Sequence, residues 1–97
     1  MRKVVFSKSA SQKFDELLHY LESEWSAKVK QNFIRKFDNA VLQIGKYPLS
    51  AEKSEIKNGL HRLVITKQTT LYYTHNEKRV YIVAIFDTRQ NPKRLKL

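Results

Sequence analysis

The longest unbroken apolar run in the chain is Val80 to Phe86, and it holds two valines, two isoleucines, a tyrosine and a phenylalanine. β-Branched and aromatic content of this density, without alternation, predicts a strand buried on both faces and central in its sheet. Lys3 to Ser7 (KVVFS) is a shorter β-branched run and predicts a first strand. Between the two, the period changes. Phe14, Leu17, Leu18, Leu21 and Trp25 recur at i, i+3, i+4, i+7 and i+11, one apolar stripe of a helix for which Ser9 or Ser11 supplies the N-cap oxygen. Ser26 interrupts this helix and can cap a second, whose stripe is Val29, Phe33, Phe37, Ala40, Val41 and Ile44. It ends near Gly45, with Pro48 as the stop. Two such helices joined by so short a link form an antiparallel hairpin. Trp25 is expected at its bend, buried with Phe33 and Phe37 against the sheet.

Pro48 to Asn58 reads as a polar loop closed by Gly59. Leu60 to Thr66, Thr69 to His75 and Arg79 to Phe86 then follow as strands joined by Thr66-Lys67-Gln68 and Asn76-Glu77-Lys78, an antiparallel meander. The expected fold is α+β, a single domain over residues 1–97: a strand, an antiparallel helical hairpin, then a three-stranded antiparallel meander, with the helices on one face of the sheet. Alternation puts Leu60, Arg62 and Val64 on one face and His61, Leu63 and Ile65 on the other, and it opposes Leu71 and Tyr73 to Tyr72 and Thr74. Arg62 stands out in a strand otherwise rich in Leu, Val and Ile. A guanidinium there needs an acid partner or an open groove.

Charge changes the picture more than size does. Nineteen Lys and Arg face nine Asp and Glu, a formal net charge of +10. A balance of this kind concerns partners: nucleic acid, a nucleoprotein machine or an acidic protein. After Asp87 no acid follows, while Arg89, Lys93, Arg94 and Lys96 do. These cations extend from a rigid strand, which suits them to an anionic partner. There is no Cys, so disulfides, zinc ribbons and thiol nucleophiles are excluded. His19, His61 and His75 have no ligand spacing, and no metal or other cofactor is called for. No signal-peptide core or membrane span is visible, and a cytoplasmic location with no membrane partner is expected.

The order of these pieces resembles the RelE/ParE superfamily of bacterial type II toxins over nearly the whole chain. SASQKFDELLHYLESEW, with its Glu-x-Trp ending, and the long second helix ending at YP are similar to the ParE branch. GLHRLVITKQTTLYYTHNEKRVYIVAIFDTRQNP is similar to the family's second half. The resemblance implies a toxin of an addiction or plasmid-stabilisation module, held by a cognate antitoxin in a hetero-oligomer. RelE-like members cut mRNA on the ribosome, and ParE-like members inhibit DNA gyrase without catalysis of their own.

Metal-free RNA cleavage needs a base, a cation for the developing charge and an acid. By resemblance, Arg62 and Arg89 match the arginines of the ribonuclease branch and are its catalytic candidates here, while Lys53 and Lys57 match its loop lysines. DTRQNPKRLKL holds no His or Tyr, and Asp87 or Glu55 would have to replace the missing base. Lys53, Lys57, Arg62, Arg89, Lys93, Arg94 and Lys96 are the residues expected to bind the target or nucleic acid. The plainer alternatives are acid partners for Arg62 and Arg89, a frayed terminus for the last three cations, and sheet packing for Tyr72, Tyr73 and Tyr81. The missing Tyr or His favours the gyrase branch over the ribonuclease branch. Charge alone would fit a third possibility, a non-toxic basic nucleic-acid-binding domain.

Overall fold

The structure, a computed structural model, describes residues 1–54, 57 and 59–89. Its elements are β1 (Lys3–Phe6), α1 (Lys8–Glu24), α2 (Ala27–Lys46), β2 (Glu52–Lys53), β3 (His61–Val64), β4 (Thr69–His75) and β5 (Arg79–Asp87). The five strands form one sheet in the order β1-β5-β4-β3-β2. β1 runs parallel to β5 and the other neighbours are antiparallel. The fold is therefore α+β, two helices against a mixed sheet. The parallel pair follows from the helical hairpin, which carries the chain from β1 over the sheet before the meander begins.

The core is the side of the sheet that meets the helices. Leu17 and Leu21 of α1 and Phe33, Phe37 and Ile44 of α2 bury against Leu71, Tyr73, Val80, Ile82 and Ile85. Phe6, Phe14, Phe33 and Phe37 form an aromatic cluster, the nearest centroids 4.5 Å apart. Tilted and stacked rings at such distances bury a large apolar area.

Four sequence expectations change. α1 starts two to four residues earlier than expected. Its cap is Ser7, whose Oγ accepts from the Ala10 N–H at 3.0 Å. Trp25 is not core: it is 55% exposed, because the stripe ends at Leu21 and Trp25 lies past the last helical turn. The loop after Pro48 contains β2, too short to show a period, and Glu52 and Lys53 pair with Arg62 and His61.

The fourth change concerns β5. It is an internal strand, but β4 holds the middle place, and only one face of β5 is fully buried. The register runs Tyr72↔Ala84 and then Tyr73↔Ile82, so Val83 is an extra residue, a β-bulge. Before it, Val80 and Ile82 face the core; after it, Ile85 and Asp87 do. A run that changes face midway must be apolar at odd and even positions alike, which is why it reads as buried on both sides. Ser7, the residue after β1, holds the bulge, its N–H bonding to Ile82 O at 2.9 Å and its hydroxyl donating to Val83 O at 3.2 Å.

One serine thus caps α1 and ties the bulge. Ser7→Ala is expected to cost about 1–2 kcal/mol in urea denaturation. Ser9→Ala and Ser11→Ala, at the positions the periodicity favours, should cost less than about 0.5 kcal/mol.

Candidate functional site

Among the described residues the expected cations do not converge. Arg62 faces away from the helices. Its register partners are Tyr72 on β4 and Glu52 on β2, and its Nη1 donates to Glu52 Oε1 at 2.7 Å. The hydrogen bond to Glu52 first, and then that to Tyr72, raises the Arg62 pKa above its ordinary value. Its side chain is 40% exposed and that of Glu52 67%, so the pair adds little stability. The pair offsets the guanidinium's charge at the sheet surface. Lys53 is paired with His61 in register and therefore lies on the other face of the β2–β3 ladder from Arg62. Lys53 and Lys57 are both exposed. Lys93, Arg94 and Lys96 lie outside the described residues, as does Glu55.

Arg89 is on the helix side. Asp87 is fully buried there beside Thr69, its partner in register, and Thr69 Oγ1 donates to Asp87 Oδ2 at 2.5 Å. Two residues on, Arg89 folds back, donating from Nε to Asp87 Oδ1 at 3.1 Å and from Nη2 to Oδ2 at 2.8 Å. Its backbone N–H also bonds Oδ1, at 2.9 Å. The guanidinium carbon lies 5.8 Å from the centroid of the Trp25 ring, a cation–π contact at the bend of the hairpin. Arg62 and Arg89 are therefore on opposite faces of the sheet, each held by a carboxylate.

A second cluster had no warning in the sequence. His61 is buried and stacks on Tyr73 at 5.1 Å, and the His75 ring lies 5.2 Å from it. The Tyr73 hydroxyl donates to Pro48 O at 2.5 Å, and His61 Nδ1 lies 3.2 Å from Ala51 O. These two bonds tie the segment after α2 to the sheet and deliver Glu52 to Arg62. Burial pushes the Tyr73 pKa up, keeping the phenol a donor. Burial, then the neighbouring His61 and Arg2, push His75 down. The cluster lies on the face opposite Arg62, so no histidine among these joins a phosphate site there. Spacing alone could not find it, since His61, Tyr73 and His75 meet only once β3 and β4 are in register. No group of three or more His, Asp or Glu among the described residues is arranged to hold a metal, and no helix among them is long and apolar enough to cross a membrane.

The family described as ParE toxin of type II toxin-antitoxin system, parDE, matches residues 4–92. The chain belongs to that family. It is a type II toxin of the ParE/RelE superfamily, and solved structures share its fold. A chain of the chromosomal ParDE toxin-antitoxin system of P. aeruginosa superposes with a TM-score of 0.72 at 13% identity, covering 90% of this chain and 96% of that one. YoeB of Staphylococcus aureus gives 0.66 at 15%, covering 88% and 94%. A chain of the E. coli DinJ–YafQ complex gives 0.65 at 11%, covering 94% and 98%. No curated protein sequence matches this toxin. At these identities the likeness concerns the fold, which ParE-type and YoeB- or YafQ-type proteins share.

The toxin's buried pair has a definite pH signature. Burial alone would raise the Asp87 pKa, but the hydrogen bonds from Arg89 and Thr69 outweigh it and hold the carboxyl below its ordinary value. A depressed folded pKa means that the pair stabilises fully above the unfolded carboxylate pKa and is lost as pH falls through the folded one. Asp87→Asn should therefore cost about 3 kcal/mol at neutral pH, with the gap from wild type narrowing on acidification. Urea titrations at a series of pH values measure both effects.

Proposed function

We propose that this toxin is ParE-like in action: it inhibits DNA gyrase through its basic surface and the segment after β5, and a cognate antitoxin neutralises it. The observation that carries this reading is the separation of Arg62 from Arg89 by the sheet. An in-line attack on one phosphate needs its base, acid and cation around one point. Here Arg89 is turned to the helices and bound to Asp87, and Glu52 occupies Arg62. A binding-only inhibitor has no need of such a constellation. The match to the ParE family over residues 4–92 supports the same reading.

The runner-up is ribosome-dependent mRNA cleavage. One observation favours it: Tyr72, a possible proton donor, lies beside Arg62 on the face away from the helices. Lys53, Lys57, Lys93, Arg94 and Lys96 would serve either reading as contacts to an anionic target.

The antitoxin reading rests on charge and on the relatives, several of which were solved as toxin–antitoxin complexes. An acidic segment that folds on a +10 surface binds with an affinity that falls as salt rises. Isothermal titration against the product of the neighbouring gene reads this directly, and absence of binding would refute the pairing.

The target test uses purified components. The toxin is expected to block supercoiling by gyrase and to leave ribosome-bound mRNA intact. Arg62→Ala should keep gyrase inhibition within about two-fold, whereas a ribonuclease would lose about 100-fold or more with a phosphate-binding arginine. Removal of residues 91–97 should abolish inhibition, and full inhibition by the shortened chain would refute the role given to that segment. Cleaved mRNA with untouched gyrase would establish the runner-up instead.

A further inference from the structure

The Asp87–Arg89 pair leaves part of the guanidinium unused. Asp87 takes Nε and Nη2, and Nη2 also lies 3.5 Å from Thr69 Oγ1. Nη1 makes no hydrogen bond among the described residues. It belongs to a side chain only 15% exposed, at the edge of a cleft of about 180 Å³ between α2 and the β3–β4 turn. Asn32, Phe33 and Lys36 line the cleft from α2, and Gln68 lines it from the turn. Trp25, 55% exposed, stands beside Arg89.

We propose that this cleft is a docking site for an acidic protein segment, taking one carboxylate side chain with an apolar neighbour. The carboxylate bonds Arg89 and Lys36, and the apolar neighbour rests on Trp25. Three features favour this occupant over a nucleic-acid backbone. The cleft is of side-chain size and its arginine is recessed, whereas rows of phosphates call for cations that protrude. Asp87 already offsets much of the arginine's charge, leaving a directional donor that suits a single carboxylate. Trp and Arg are also among the residue types enriched at the energetic centres of protein interfaces. The rigidity is built in, because Asp87 and Thr69 hold the guanidinium before any partner arrives, so little side-chain entropy is lost on docking. This inference does not depend on whether the toxin's target is gyrase or the ribosome.

Trp25 is the chain's one tryptophan, so its fluorescence reports on this corner. The full chain would be titrated at low salt with acetyl-Leu-Glu-amide, with acetyl-Leu-Gln-amide and with inorganic phosphate. The Glu peptide is expected to give a saturable change in emission. The Gln peptide should bind about five-fold more weakly, and Lys36→Ala, an exposed helix position that leaves the core intact, should weaken the Glu peptide about three-fold. No saturable response to the Glu peptide would overturn the proposal, as would equal binding of the Gln peptide or an unaffected Lys36→Ala variant. Phosphate binding as tightly as the Glu peptide would also overturn it, by giving the cleft to phosphate chemistry.

Discussion

One extra residue in β5 decides where the chemistry of this protein lies. Val83 is unpaired opposite the Tyr72–Tyr73 step, and every side chain after it changes face. Counting on from Val80 and Ile82 without the bulge would send Asp87 and Arg89 to the side that carries Arg62. With it they go to the helices. The bulge is itself held from the residue after β1, where the hydroxyl of Ser7 reaches Val83 O while its oxygen caps α1. The start of the first helix and the direction of the last strand's polar end are thus set at one residue, and the parallel β1–β5 pairing makes that possible.

Placing Asp87 in the core has consequences that propagate outward. A buried carboxylate must be satisfied, and here Thr69 and Arg89 do it with four hydrogen bonds, two of them to each oxygen. Arg89 is drawn over Trp25 as a result, and the bend of the helical hairpin acquires a fixed cation. The other arginine is treated differently. Glu52 meets Arg62 near the surface, where the pair is weak and water or a partner can displace it. One arginine is therefore a structural fixture with a spare donor, and the other a reversible one.

The sequence made most of the scaffold readable because scaffold is a matter of period. The apolar stripes of the two helices, the capping Ser26 and the meander all follow from spacing, and Thr69–His75 was delimited to the residue. The resemblance to RelE/ParE toxins rested on the order of those pieces. What spacing could not show was anything decided by register. The bulge hides inside a uniformly apolar run, β2 is two residues long, and the Glu52–Arg62, Asp87–Thr69 and His61–His75 contacts exist only once strands are aligned. Trp25 was misjudged for a related reason: it continues the stripe of α1 by arithmetic, but the helix has already ended at Glu24.

These register effects decide which groups of this chain can meet on one face of the sheet. The sheet offers two faces, and the bulge midway along β5 selects which of them receives the residues that follow. A site needing several groups around one phosphate depends on that selection being right for all of them. A surface that only binds tolerates the alternative, because charge acts at a distance and spreads over both sides of so small a domain. In this chain the selection separates the arginines and builds a rigid, recessed donor beside an exposed indole. One arginine is thereby committed to the core side of the sheet and the other left at its open face.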